Sequence, residues 1–500
     1  MKWLGIFLVL AGTTVAALAQ TNVPEVRKLS LEDCVQSALE KNLDMRIARY
    51  NPSMAQADLQ YAYAGYNPSF TVGGTHDFNM SGGGFNPSLG TLTAATTSDQ
   101  NAFNSSLGGV TPWGLNYTMQ GNVAETYGSA GAGAPFDSSR GSTSISLSQP
   151  LLKNFWIDST RFNIKVARNR IKYSELGLKQ TIMSLVTTVE QAFYDLTYAR
   201  ENVTVQQKAV ELAKQLVAEN KKRVEVGSLA PLDAKQAEAQ AASSEATLIA
   251  ARSSLAVQAN TLKQLITDNY AAWEAIDLEP NVPLKAPVQI FDRQFSWTKG
   301  LTQRPDLLQA RLDVERQGIT LKYNYNQLFP ELDLVGSYGH GAGGLGIQEF
   351  SQALNQMRDG SRPSYSYGAL LTLPVGNTGA RATYKKTKLS MEQYVLSLKK
   401  LEQTIMTTID NDIKLAQSSY QQVGATRTAR EYAAEALDAE QKKLESGKST
   451  TYTVLQMQRD LTTARGNEIQ ALANYNKTLA QLSLDEASTL QRLGINLEVK

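Results

Sequence analysis

Apolar residues return at every seventh position along much of this chain. Residues 157–226 contain no proline and one glycine, Gly177, and positions 182, 189, 196, 203, 210, 217 and 224 read Ile, Val, Leu, Val, Val, Val and Val. That spacing predicts a coiled-coil seam, on a helix that at 1.5 Å per residue is roughly 100 Å long. A companion series, Leu185, Ala192, Ala199, Gln206, Ala213 and Asn220, is mostly small and admits a close neighbour. Residues 381–446 repeat the pattern, with Ala416, Val423, Leu437 and Leu444 in heptad register and Arg430 interrupting it. Two shorter segments match them: 232–268, carrying Ala241, Leu248, Leu255 and Leu262, and 453–493. The four pair as two antiparallel hairpins, turning at 226–231 and 446–449 with Gly227 and Gly447 in the C-cap position.

Elsewhere the period drops to two. Phe70, Val72, Gly74, His76 and Phe78 alternate with Ser69, Thr71, Gly73, Thr75 and Asp77. Leu115, Tyr117, Met119 and Val123 alternate with Asn116, Thr118, Gln120 and Asn122. Ile145 and Leu147, then Leu332, Leu334 and Tyr338, then Tyr365, Tyr367, Ala369, Leu371 and Leu373 behave alike. Aromatic-bearing apolar faces set against small polar ones are the pattern of a transmembrane β-barrel. A soluble half-buried sheet alternates in the same way. Long connections at 80–100 and 339–363, alternating with a short turn at 110–114, favour the barrel, whose outer loops are long and inner turns short. So few strands cannot close a membrane barrel alone, so several chains must share one.

The two patterns occur twice. An offset of 262 places Asn42 to Arg49 on Arg304 to Arg311, Pro68 on Pro330 and Gly74 on Gly336; an offset of 220 places Gly227 on Gly447, Gln236 on Gln456 and Leu262 on Leu482. The chain thus divides into a signal segment (1–19), a first-repeat helix (20–66), strands and outer loops (67–152) and a helical hairpin (153–268, tip 226–232). A linker (269–303) follows, then the second-repeat helix (304–329), strands (330–375), hairpin (376–493, tip 446–452) and a tail (494–500). The first strand region is about 38 residues longer than the second, room for two extra strands.

Composition sharpens this division. Two windows, 65–141 and 336–379, hold 25 of the 35 glycines and only nine of the 96 charged residues. The formal net charge of +2 argues against a nucleic-acid partner. The single Cys34 excludes an intramolecular disulfide framework, and the two histidines, His76 and His340, leave acid–base and metal chemistry poorly supplied. No catalytic residue, metal site or cofactor is expected. At the N-terminus Lys2, an apolar run and Ala17-Leu18-Ala19 predict a cleaved export signal.

Together, these features make the chain resemble the TolC family of outer-membrane efflux proteins. The likeness is carried by residues 29–39 (LSLEDCVQSAL), 67–70 (NPSF), 146–152 (SLSQPLL), 304–307 (RPDL) and 371–376 (LTLPVG). The resemblance implies a mostly α fold with membrane β: a homotrimer whose α-helical barrel continues a shared transmembrane β-barrel. The implied role is a passive exit duct of a tripartite efflux or type I secretion system. It would sit in the outer membrane, extend into the periplasm, and be served by a periplasmic adaptor protein and an inner-membrane pump of the resistance-nodulation or ABC type. The family contributes four strands per chain; the extra residues here predict six, or a hairpin folded outside the wall. Adaptor contacts fall on Gly227, Ser228, Leu229, Gly447, Lys448 and Ser449, and the periplasmic aperture on Asp233, Gln236, Thr453 and Gln456. Some relatives carry aspartates at the positions of Thr453 and Gln456, so the aperture here is expected to be polar and less charged. The rival readings are a non-channel surface coiled-coil protein or adhesin, and a secreted hydrolase using Asp410 and Asp412. A carboxylate pair two residues apart on a helix diverges in direction, which weighs against the second.

Overall fold

The computed structural model describes residues 26–88, 90–130, 134–344 and 347–495. The expected signal segment, 1–19, and most of the tail, 494–500, lie outside the described residues. In chain order the first elements are β1 (Val26–Leu29), α1 (Leu31–Lys41), α2 (Leu43–Ala48), α3 (Tyr50–Tyr63), β2 (Ser69–Ser81), β3 (Gly84–Asn86), β4 (Thr91–Thr93), β5 (Thr96–Val110), β6 (Asn116–Ala130) and β7 (Ala134–Pro150). Next come α4 (Ser159–Glu225), α5 (Pro231–Ile266), α6 (Tyr270–Trp273), β8 (Asp277–Pro280), α7 (Arg293–Gln303) and α8 (Pro305–Asn326). The rest are β9 (Glu331–Ala342), α9 (Phe350–Arg358), β10 (Pro363–Thr372), α10 (Thr378–Glu445), α11 (Thr451–Asp485) and α12 (Thr489–Arg492). The described residues divide into two units, one formed by 26–46, Ile182–Arg293 and 409–495, the other by Ile47–Thr181 and Gln294–Thr408.

In the first unit the predicted seams are buried over most of their length, with Val203, Val217 and Val224 of α4 and Leu255 of α5 only half-buried. Ile182, Val189, Leu196 and Val210 of α4 are buried, as are Ala416, Val423, Leu437 and Leu444 of α10 and Ala241, Leu248 and Leu262 of α5. Arg430, the interruption, answers Glu468 of α11 at 2.7 Å, so a charge at a seam position is met by its opposite on the neighbouring helix. Tyr475 is fully buried and donates its hydroxyl to the Pro287 carbonyl at 2.7 Å.

Two expectations for this unit change. The described residues of the segment 20–66 do not form one helix. Strand β1 lies parallel to β8, and α1 opens with a capping box between Ser30 and Asp33. It ends at Asn42, whose amide accepts from Met45 N at 3.1 Å and donates to Leu265 O at 3.0 Å. Satisfying the buried amide of Asn42 requires the break. The helix expected over 453–493 stops at Asp485, because Ala487 takes a positive φ of 60° and the amides of Ala487 and Ser488 turn back to Leu484 and Ser483.

The second unit holds one six-stranded antiparallel sheet in the order β10-β9-β7-β6-β5-β2. The extra hairpin, β5 and β6, is therefore part of the sheet, inserted between β2 and β7. The connection expected at 80–100 is shorter than predicted, since β2 runs on to Ser81 and β5 begins at Thr96. Register runs unbroken across all six strands, so each face can be followed from edge to edge. Thirteen of the fourteen exposed large apolar or aromatic side chains in the six strands of this sheet share one face, from Phe70 and Val72 through Phe103, Met119 and Leu147 to Tyr338, Tyr365, Tyr367 and Leu371. Leu370 is the exception. The opposite face carries Ser, Thr, Asn and Gln, with bonds such as Ser142 to Asn122 at 2.7 Å and Ser337 to Ser366 at 2.8 Å. Water would leave that apolar face at a prohibitive cost; hydrocarbon accepts it. Among the described residues no helix is long and apolar enough to cross a membrane.

Candidate functional site

The two helix turns are built alike. Helix α4 ends in a glycine-capped motif: Gly227 has φ of +72°, its amide donates to Val224 O at 3.0 Å, and the Ser228 amide donates to Arg223 O at 2.8 Å. Helix α10 repeats it, with Gly447 at +75° bonded to Leu444 O at 3.1 Å and Lys448 to Lys443 O at 2.8 Å. This pair of bonds satisfies carbonyls that a helix end leaves open, and it needs a left-handed residue at C′. A Cβ at either glycine would meet nothing within 4 Å. Backbone conformation, not crowding, requires glycine at both positions.

After each turn the next helix is capped differently. Pro231 sits in the first turn of α5, where its missing N–H costs nothing. On the other side Thr450 caps α11, its hydroxyl accepting from Thr453 N at 3.3 Å and meeting the Thr453 hydroxyl at 2.9 Å. Of the expected adaptor-contacting residues, Gly227, Ser228, Gly447 and Lys448 are exposed, and Leu229 and Ser449 are half-buried. Of the expected aperture residues, Gln236 and Gln456 are exposed, Asp233 and Thr453 half-buried, and the Thr453 hydroxyl is already engaged in the cap.

The turns rest on a common apolar base of Leu216, Leu437, Leu444, Val454, Leu455 and Leu461. Arg223 of α4 and Leu444 of α10 line one small cavity of about 220 Å³, so the described residues bring the two turns together. Around them the charges are locally paired. Glu238 answers Lys221 across the first hairpin at 3.0 Å and Lys235 at 2.8 Å, and these bonds hold its carboxyl below the usual range. Ser449 donates to Glu440, which the serine hydroxyl and Lys443 likewise hold low. The sequence reading missed Glu440 and Glu238; the only signal for either is a Lys three residues away on the same helix face. Asn220 is fully buried, with both side-chain polar atoms unpartnered. Among the described residues no group of three or more His, Cys, Asp or Glu is placed to hold a metal ion.

Comparison with known proteins agrees with this architecture. A family model described as outer membrane efflux protein matches over residues 113–267 and 298–484. The outer membrane efflux protein BepC of Brucella suis is 22% identical over 363 residues, 71% of this chain and 74% of that protein. The solved outer membrane channel CmeC of Campylobacter jejuni superposes with a TM-score of 0.68 at 15% identity, covering 94% of this chain and 90% of its own. The open-state MtrE outer membrane channel of Neisseria gonorrhoeae gives 0.63 at 17%, over 92% and 89%.

Proposed function

Starting from the premise that this chain belongs to the outer membrane efflux protein family, we propose that three copies close their sheets into one barrel of eighteen strands and their hairpins into one helical barrel. The protein is an outer-membrane channel reaching into the periplasm, a passive exit duct whose energy is supplied elsewhere. One observation supports a barrel shared between copies: among the described residues, a sheet with an apolar face for lipid and a polar face for water has both edges, β2 and β10, unpaired. Free strand edges demand partners. Successive strands alternate direction, so β2 of one copy and β10 of the next run antiparallel and can pair.

The hairpin tips are the docking surface for a periplasmic adaptor in this reading, through Gly227, Ser228, Leu229, Gly447, Lys448 and Ser449. The adaptor would link the duct to an inner-membrane pump of the resistance-nodulation or ABC type. Asp233, Gln236, Thr453 and Gln456 then surround the periplasmic aperture, which is polar and less acidic than one ringed by aspartates. The near-identical turns support descent of the two halves from one duplicated unit, as does a family match falling in each half.

The test uses the single native cysteine. In a Cys34→Ser background, cysteines are scanned along Thr71 to Thr75 of β2 and Ser364 to Ser366 of β10. A covalent trimer on a non-reducing gel, with stepwise conductance of the purified protein in planar bilayers, is the expected result. Monomers throughout the scan together with silent bilayers would refute the duct.

A further inference from the structure

The loop joining β9 to β10 carries a short helix, α9, that lies along a single cross-strand row of the sheet. Register aligns Gly74, Phe103, Val123, Gly141 and Ala342 side by side on the apolar face. Phe350 at the start of α9 meets Phe103 edge-on, ring centroids 5.2 Å apart. Ala353, fully buried, packs with Val123 and Ala342, and Ile347 and Met357 flank them. Gly141 makes the room: a Cβ there would stand 2.8 Å from the Met357 sulfur. Polar bonds fix both ends, Ser139 N to Ile347 O at 3.0 Å, Ser139 Oγ to Gln348 O at 2.9 Å, and Gly343 N to the Gln356 side chain at 2.9 Å. A loop from the second half thus straps β5, β6 and β7 of the first.

The chemistry of that face changes at the strap. On the periplasmic side the first row, Val72, Ser105, Gly121, Thr143 and His340, is small or polar apart from Val72, and the rows after it carry Leu107, Met119, Ile145, Tyr338 and Tyr365, then Leu147 and Tyr367, then Leu334, then Leu332 and Leu371. Beyond the strap come His76, Asn101, Glu125 and Ser139, then Asp99 and Asp137, and only Phe78 and Met80 of edge strand β2 and Tyr127 of β6 keep large apolar character. Here the outward groups bond one another, His76 to Asn101 at 2.8 Å and Asn101 to Glu125 at 3.5 Å. From the strap row to the Leu332 row is ten residues of β9, about 33 Å along the strand and about 25 Å along a barrel axis at a tilt of about 40°, the height of an outer-membrane apolar band. The strap row is therefore the outer edge of that band.

From this placement we propose that α9 is an interfacial helix bound to the outer leaflet of the membrane, lying flat on the outside of the wall at the boundary between acyl chains and headgroups. Its inner stripe is Phe350, Ala353 and Met357, and the stripe left outward is Ser351, Leu354, Asn355 and Arg358. Leu354 is 44% exposed and Arg358 lies one turn on, an apolar group and a cation suited to acyl chain and headgroup phosphate. The proposal rests on the lipid-facing sheet proposed above.

Spin labels test both, in the Cys34→Ser protein reconstituted into phosphatidylcholine vesicles, at Leu354→Cys, at Tyr367→Cys in mid-band and at Leu92→Cys in the β3–β4 hairpin. Relative accessibility to oxygen over a water-soluble nickel chelate is expected to fall from Tyr367 through Leu354 to Leu92, with Leu354 clearly between the two. A Leu354 label as accessible to nickel as the Leu92 label would overturn the interfacial strap while leaving the barrel standing. A Tyr367 label reading as aqueous would overturn the lipid-facing sheet itself. Phe350→Ala with Met357→Ala, which frees the inner stripe, should shift the Leu354 label towards the aqueous value; no shift would also count against the strap.

Discussion

Adjacent residues of β10 offer a direct test of which face meets lipid. Tyr367 pairs with Gly336, six residues from the strap row at Ala342 and four from Leu332, which puts it within about 3 Å of the middle of the apolar band at about 2.5 Å of height per residue. It is 86% exposed in the single chain. An arginine at the midplane of a barrel's lipid face costs about 2–4 kcal/mol, or roughly 30- to 1,000-fold in the folding equilibrium. Ser366 points the other way and bonds Ser337 at 2.8 Å; Ser366→Arg loses that bond, about 1 kcal/mol, into water. Leu371→Arg, near the inner edge, should cost about 0–1 kcal/mol. The assay is urea-dependent folding into vesicles, followed by the heat-modifiable trimer band. Tyr367→Arg is expected to fold far less well than Ser366→Arg, with Leu371→Arg close to the unmodified protein. Should Ser366→Arg be the more damaging of the neighbours, the assignment of faces is reversed and the lipid argument fails with it.

Three further outcomes are expected. Glu190 is fully buried beside Arg492; burial raises its carboxyl pKa above 4.5, and Arg492 partly offsets the rise. A raised folded pKa means stability is lost as pH climbs from 4.5 through that value, so Arg492→Met, which removes the offset, should destabilise the helical region by about 2–3 kcal/mol at pH 8, below the usual cost of breaking a buried pair because Arg492 is partly exposed. The deficit should shrink towards pH 5 in thermal melts followed at 222 nm; an equal deficit at both pH values counts against it. Cys34 is 1% exposed and its thiol is pushed up to about 12 by burial, so iodoacetamide at pH 8 should leave the native trimer unmodified and alkylate the urea-unfolded chain, as mass spectrometry reads directly. Gly447→Val forces a β-branched residue to a φ of +75°, costing about 1–2 kcal/mol locally; it and Leu229→Glu should weaken adaptor capture in a pull-down while the trimer band persists, and loss of the trimer would show the tip assignment to be wrong.

Heptads and alternation were legible because they are periodic, and lipid or a partner helix reads the period. The seam from Ile182 to Val210 and the faces of β2, β6 and β10 follow from residue spacing alone. Breaks were less legible, because they depend on a distant group. Asn42 ends α1 to reach the Leu265 carbonyl, more than two hundred residues away, and Ala487 adopts a left-handed turn that glycine would have announced. At the tips the glycines were visible through the C-cap rule, whereas the Ser449–Glu440 bond needs the turn already folded. Helix α9 was not legible for a related reason. Its inner stripe is three residues long, and the row it covers comes from four strands scattered over some 240 positions of sequence.

In the trimeric barrel proposed above, place and parity let the wall accept two more strands. Identical copies joined edge to edge pair antiparallel only if each contributes an even number of alternating strands, so growth must come in hairpins. A single added strand would turn the junction between copies parallel. The extra hairpin here enters behind β2 and leaves both edges, β2 and β10, where a four-strand sheet would have them, so the junction between copies can stay unchanged as the wall widens. At 4.8 Å between strands and a tilt of about 40°, the eighteen strands of the proposed trimer would enclose a barrel about 36 Å across, against about 24 Å for twelve. A hairpin so inserted has neighbours on both sides but lengthens the circumference that lipid can bend, and the strap α9 crosses the new seams β5–β6 and β6–β7 on the outside. The strap belongs with the extra hairpin: Phe103, which Phe350 meets, and Val123, which packs with Ala353, both lie on the inserted strands. A chain lacking β5 and β6 would leave the first turn of α9 with nothing to cover.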